Sequence, residues 1–284
     1  MSPLIPRLPF AGLLLVAALT LDAQAPPGVP PASPATAKSS APINLTGYWV
    51  SIVTEDWRYR MLTAPKGDYY SLPLNPAARK VADAWDPAKA AAENACLNYG
   101  APTIMRVPGR LHITWDNEDS LRIDTDAGKQ TRRFPFNASR APAADATLQG
   151  SSAAEWQTPA RTRSSLAKLS AQDPNTPGFI GIFHGAGPPP APPPSTTGTL
   201  KVVTSHILPG RLRNNGVPYS ANVAMTEYYD LHKEPGGDQW IVVTTIVDDP
   251  QYLDAPYVTT THFKREPDGS KWDPRPCELI LPSK

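Results

Sequence analysis

Alternation of apolar and polar residues with a period of two dominates the second half of the chain. Leu200, Val202, Thr204, His206 and Leu208 fall on every other position, as do Val223, Met225, Tyr229 and Leu231. Ile241, Val243, Thr245 and Val247 repeat the spacing and run on to Asp249, and Tyr257, Thr259, Thr261 and Phe263 close the series. Successive side chains of an extended strand point to opposite faces, so each set predicts a strand with one face turned to a core. Between two of these runs lies Glu234-Pro235-Gly236-Gly237-Asp238, turn chemistry that predicts an antiparallel hairpin. In the first half, "GYWVSIVT", "APTIMRV", "RLHITW", "DSLRIDT" and "KQTRRFPF" are shorter runs rich in β-branched and aromatic residues. Turn-forming stretches such as Pro108-Gly109 and Ala127-Gly128 separate several of them, which predicts further short strands.

Helical spacing is confined to the segment from Leu74 to Gly100. Asn75 can cap a helix that has Pro76 in its first turn, Val81 and Trp85 stand four apart on one face, and Pro87 breaks the run into two short helices. Residues 26–42 are Pro, Ala and Ser with little to bury and read as a flexible linker, so the folded part is expected to start near Ile43. A second low-complexity stretch has six prolines in the seven residues from Pro188 to Pro194. With the Ala- and Ser-rich residues after Ala138, it reads as an insertion over about 138–198 within a single domain spanning 43–284.

The first residues change the expected address of the chain. Arg7, the apolar run Phe10 to Leu21 and the small-residue pattern Ala23-Gln24-Ala25 form the signature of a secretory signal peptide covering residues 1–25. That run is too short for a membrane span, and no later stretch is long enough, so a secreted or periplasmic protein without a transmembrane segment is expected. Net charge is +1, which leaves no basic surplus to hold phosphates and argues against a nucleic-acid partner. The two cysteines, Cys96 and Cys277, would meet an oxidising compartment, where a disulfide is the economical reading over two free thiols.

Candidate chemistry starts from Glu227, which sits in the apolar row of Val223, Met225, Tyr229 and Leu231. A buried carboxylate needs a partner, and Arg106, Arg211 and Arg213 are candidates from neighbouring strands and loops. Three readings stand open: a buried Glu–Arg pair that sets strand register, a general acid or base with His206 as its proton-transfer partner, or a bulge that returns Glu227 to solvent. His112 and His262 fall on the polar parity and read as surface histidines, and the spacing of the histidines singles out no metal site. In "WRYRM", Trp57, Tyr59 and Met61 are expected to pack inward with Arg58 and Arg60 outward. No Gly-x-Ser-x-Gly elbow and no glycine-rich phosphate loop is present, so no cofactor is expected.

Gly47-Tyr48-Trp49 resembles the Gly-x-Trp opening of lipocalin-type barrels, in which the tryptophan closes one end. With "CLNYGAP" from Cys96, "GVPYSANVAMTE" from Gly216 to Glu227, "IVDDP" from Ile246 and the late Cys277, the mature chain is similar to a large family of uncharacterised secreted bacterial proteins. The resemblance implies a common β fold and brings no established activity. The expected architecture is thus mainly β, an antiparallel lipocalin- or calycin-like barrel with one or two short helices and a Pro-rich inserted loop. The expected function is binding of a small, partly apolar molecule in the barrel interior, with Thr204, Thr245, Asp249, Arg106 and Trp49 lining it. Alternatives are a cofactor-independent acid/base enzyme, a lyase, isomerase or hydrolase using Glu227 and His206, and a structural envelope protein.

Overall fold

Strand β1 (Gly47–Ile52) is the fourth of nine in a sheet order whose two ends come back together, as seen in a computed structural model that describes residues 35–90, 94–136, 145–159 and 197–279. On one side of β1 the chain adds β2 (Arg110–Asn117), β3 (Ser120–Thr125) and β4 (Thr131–Pro135). On the other side it adds β11 (Tyr257–Glu266), β10 (Gln239–Asp248), β9 (Ala224–Lys233), β6 (Thr199–Ser205) and β5 (Ser151–Gln157). The order β4-β3-β2-β1-β11-β10-β9-β6-β5 is antiparallel throughout, and the outer strands β4 and β5 lie side by side. The described residues therefore form a nearly closed barrel of nine strands with one seam. Two-residue strands β7 (Gly210–Arg211) and β8 (Pro218–Tyr219) pair separately in the loop between β6 and β9.

The predicted alternation holds along most of the wall. Ile241, Val243, Thr245, Val247 and Asp249 are all buried, as are Tyr257, Thr259, Thr261 and Phe263. Glu234 N donates to the carbonyl of Asp238, closing the β9–β10 hairpin at the expected turn. Trp49, fully buried, donates its Nε1–H to the Leu45 carbonyl at 2.9 Å, and the Arg265 guanidinium lies 5.4 Å from its ring centre. One apolar cluster, including Trp49, Ile113, Ile123, Phe134, Leu200, Tyr229 and Phe263, fills the barrel. A second, including Leu72, Ala78, Val217, Tyr219, Met225 and Tyr257, packs helices and loops over the end where β1 finishes and β9 begins.

Helices α1 (Trp57–Arg60), α2 (Pro76–Ala84), α3 (Pro87–Ala90) and α4 (Ala101–Ile104), with a 3-10 turn at Ala95–Asn98, lie between β1 and β2. Asn75 caps α2 as expected, its Oδ1 accepting from Ala78 N at 2.9 Å, but the buried helical face is Ala78 and Ala82 while Val81 is exposed. "APTIMRV", expected as a strand, instead forms α4 with Pro102 in its first turn. It is buried on every side, and a short apolar run of this kind does not distinguish strand from helix by periodicity.

Three further expectations are corrected. The folded part begins before Ile43: Ala37 is buried, its N–H bonded to Asp119 Oδ1 at 2.7 Å and its carbonyl accepting from Trp156 Nε1 at 2.8 Å. The stretch assigned to the insertion contains β5, whose alternate residues Ser152, Ala154 and Trp156 face inward. In "WRYRM" the period-two faces do not hold, because the segment is helical: Arg60 is buried and Trp57 and Met61 are exposed, while Arg58 is exposed and Tyr59 partly buried as expected. Residues 1–34 and 160–196, which carry the expected signal peptide, most of the linker and the polyproline run, lie outside the described residues.

Cys96 and Cys277 stand at disulfide distance, with sulfurs 2.01 Å apart. The pair ties the turn before α4 to the C-terminal segment across 181 residues of sequence. In the chain-entropy account a loop of that size stabilises a fold by about 5 kcal/mol. Among the described residues no helix is long and apolar enough to cross a membrane.

Candidate functional site

Glu227 faces the barrel interior and is fully buried. Its partner is Arg132 of β4, which comes from none of the three positions expected. Arg132 Nη1 donates to Glu227 Oε1 at 2.8 Å and Nη2 to Oε2 at 2.6 Å, the two-pronged geometry in which a guanidinium matches a carboxylate. Tyr229, two residues along the same strand face, donates its hydroxyl to Glu227 Oε1 at 3.1 Å. Thr204 of β6 receives a longer contact from Arg132 Nη2 at 3.4 Å, and its hydroxyl lies 2.8 Å from that of Ser152 on β5. The guanidinium also rests 4.9 Å from the ring centre of Phe134.

Four strands thus contribute to one buried polar network: β4, β5, β6 and β9. These are the strands around the seam, where no backbone ladder joins β4 to β5 in the sheet order. Burial opposes the positive charge of Arg132, but the Glu227 carboxylate and the Tyr229 hydroxyl more than offset it, and the guanidinium is held above its ordinary value. Burial, then the charge of Glu227, pushes the Tyr229 hydroxyl well up. A carboxylate with both oxygens engaged by a guanidinium and no exposed surface has no route to a substrate proton. The network instead fixes which strands face each other across the interior.

His206 does not join it. Strand β6 ends at Ser205, and His206 takes a left-handed conformation with φ 56° and an exposed side chain, so that Ile207 rather than His206 becomes the next buried residue. Period-two alternation assumes continuous extended backbone, and a single residue with positive φ breaks it. Its Nδ1 lies 3.0 Å from Ser205 Oγ. The acid/base pair of Glu227 and His206 is therefore not assembled.

The other expected site residues are distributed as follows. Thr204 and Thr245 are buried inside, with Thr245 directly opposite Glu227 on β10. Asp249, also buried, anchors a loop: it accepts from Ser220 N at 2.6 Å, Ser220 Oγ at 2.7 Å and Gln251 N at 3.0 Å. Trp49 belongs to the core. Arg106 stands after α4, near the start of β2, and pairs with Asp56 at 3.0 Å. Arg211 ends β7 and Arg213 lies in the β7–β8 loop, both buried but away from Glu227. His112 stacks on Tyr48 at 4.1 Å and His262 Nδ1 lies 3.1 Å from Glu55 Oε2, so the three histidines do not converge.

Sequence reasoning passed over Arg132, although a signal was present. In "KQTRRFPF" Arg132 shares parity with Phe134, so the alternation that exposed Glu227 as anomalous placed an arginine inward on β4 as well. None of the principal clefts among the described residues is lined by Glu227, Thr204 or Thr245. They lie at the rims and ends of the barrel. Comparison with protein-family models, with curated proteins and with solved structures gives no match to this chain.

Proposed function

We propose that the chain is a secreted, lipocalin-like binding protein that takes a small, partly apolar molecule at the mouth of its barrel. The observation that carries this reading is a cleft of about 970 Å³ at the rim where β1 starts and β9 ends. Ile43, Trp115 and Leu231 supply apolar surface there, with Asn44, Asp230 and His232 as polar neighbours. Small-molecule sites combine a largely apolar lining with a few placed polar groups and span several hundred cubic ångströms. The interior at the level of Glu227 is already occupied by the Arg132 network and the core aromatics, which favours the mouth over the centre. The cysteine pair at disulfide distance supports an address outside the cytoplasm.

The test is titration with a neutral apolar fluorophore such as N-phenyl-1-naphthylamine. Wild-type protein is expected to bind it saturably, Leu231→Arg to lose that binding with the fold retained, and Val258→Glu on the exposed outer wall to keep it. Saturable binding that survives Leu231→Arg unchanged, or none in the wild type, overturns the assignment to this cleft.

A further inference from the structure

At the other end of the barrel, where β1 finishes and β2 begins, three buried arginines converge on one small pocket. Arg60 comes from α1, Arg106 from the turn after α4, and Arg213 from the β7–β8 loop; together with Asn98 they line a space of about 30 Å³. These four residues are at most 8 % exposed. Each guanidinium is held from behind. Arg60 donates Nε–H to the Arg106 carbonyl at 2.9 Å and Nη1–H to Glu55, Arg106 donates Nη2–H to Asp56 at 3.0 Å, and Arg213 donates Nη2–H to Ser71 Oγ at 3.1 Å while stacking 3.9 Å above the Tyr59 ring.

What remains is a set of donors without acceptors. Arg60 Nη2, Arg106 Nη1, Arg213 Nε and Nη1, and Asn98 Nδ2 have no hydrogen-bond partner among the described residues, and Asn98 Oδ1 is the one unpaired acceptor beside them. Buried donors are rarely left unpaired, because desolvating them without a replacement acceptor is costly, and cationic donors are the most costly of all. Glu55 and Asp56 neutralise Arg60 and Arg106, whereas among the described residues Arg213 faces a hydroxyl and an aromatic ring and pairs with no carboxylate. Burial draws Arg60 below its ordinary value, Glu55 opposes that, and Arg106 adds to the lowering. With Glu278 in the lining the three arginines are matched by three carboxylates, so what distinguishes the pocket is its converging, unpaired N–H groups rather than a net charge. Glu278, the carboxylate in its lining, is exposed, and it adds to the support that Asp273 chiefly gives to the charge of Arg275.

We infer that this pocket is a binding site for a compact oxyanionic group, a carboxylate or a phosphate, gripped by Arg60, Arg106 and Arg213 with Asn98. Planar guanidinium forks match the oxygens of both groups. A neighbouring cleft of about 260 Å³ shares Arg60, Tyr99, Val107, Pro108 and the exposed Glu278 with the pocket, is also lined by Arg275, and gives room for the body of a small molecule whose oxyanionic head occupies the pocket. The site is independent of the apolar cleft at the opposite rim.

Calorimetric titration of the disulfide-intact protein with inorganic phosphate, sulfate and acetate, each against chloride at matched ionic strength, tests the inference. Saturable binding of at least one oxyanion, with a rise in melting temperature that chloride does not reproduce, is the expected result. Preference for phosphate or sulfate points to an inorganic or phosphorylated ligand, and preference for acetate to an organic acid. Arg213→Gln removes no carboxylate's partner among the described residues and is expected to weaken oxyanion binding at least tenfold. Arg106→Lys, which retains the charge beside Asp56 but loses the fork, is expected to weaken it as well. Neither variant should alter fluorophore binding at the mouth, so the two sites stand or fall separately. Equal responses to oxyanions and chloride, or a full response retained in Arg213→Gln, overturn the site.

Discussion

Arg132 on β4 donates to both carboxylate oxygens of Glu227 on β9, at 2.8 and 2.6 Å, linking two strands that are not neighbours in the sheet. The link passes inside the seam, so it does for β4 and β5 part of what a backbone ladder does elsewhere in the wall. A buried ion pair is weak evidence for net stability, since desolvating both charges consumes most of what their attraction returns. Its value lies in discrimination: a strand slipped by one residue would carry its own charge to the outer face and leave the partner charge buried and alone.

Breaking the pair from one side should therefore cost more than removing it whole. Arg132→Met or Glu227→Leu alone is expected to destabilise the fold by about 3–5 kcal/mol, because each strands the opposite charge. The double variant should recover a large part of that loss. Urea unfolding of all four proteins measures the coupling directly, and single-variant costs below about 1 kcal/mol would show that the pair does not hold the seam.

His206 is expected to be dispensable. It is exposed and holds φ 56°, a conformation that glycine adopts without the Cβ clash. His206→Gly should leave the unfolding free energy within about 1 kcal/mol of wild type or raise it slightly, since the relief of strain offsets the extra freedom of the unfolded chain. A larger loss would mean that the imidazole makes a contact the outward placement denies.

Stability should be level up to about pH 10 and fall above it. Burial raises the hydroxyls of Tyr229 and Tyr219 above 10.0, Glu227 adding to the effect at Tyr229, and burial with the hydrogen bond to Asp83 brings Tyr69 to about 12. Below pH 10 these groups hold their protons in both folded and unfolded chains, and the full contribution is present. Above it the unfolded chain loses protons that the folded chain keeps, so stability drops, by roughly 1.4 kcal/mol per pH unit for each of Tyr219 and Tyr229. Urea midpoints between pH 8 and 12 follow this directly, and Tyr229→Phe should make the alkaline slope shallower; an unchanged slope would remove Tyr229 from the account.

The strand faces of β9, β10 and β11 were legible because period-two burial is a local property of extended chain. The sets through Met225, Val243 and Thr261 needed only their own neighbours to be read. Capping at Asn75 and the hairpin turn at Glu234 to Asp238 were legible for the same reason. Segments buried on all sides were not, and α4 shows why: a continuous apolar run carries no period to choose between helix and strand. β5 escaped because small residues, Ser152 and Ala154, occupy its inward positions and mimic a low-complexity loop.

By itself the sequence determined that Glu227 shares strand parity with the apolar Tyr229, and Arg132 with Phe134, because parity follows from covalent geometry wherever the backbone stays extended. Only the tertiary structure decided that they meet. Residues 95 apart in the chain come together because the sheet curls until β4 lies against β5, and no local pattern encodes that closure. The same holds for Arg60, Arg106 and Arg213. Each is an ordinary arginine in a short helix, turn or loop, and it is the packing of two separate connections, β1–β2 and β6–β9, over one end of the barrel that turns them into a single buried pocket of unpaired donors.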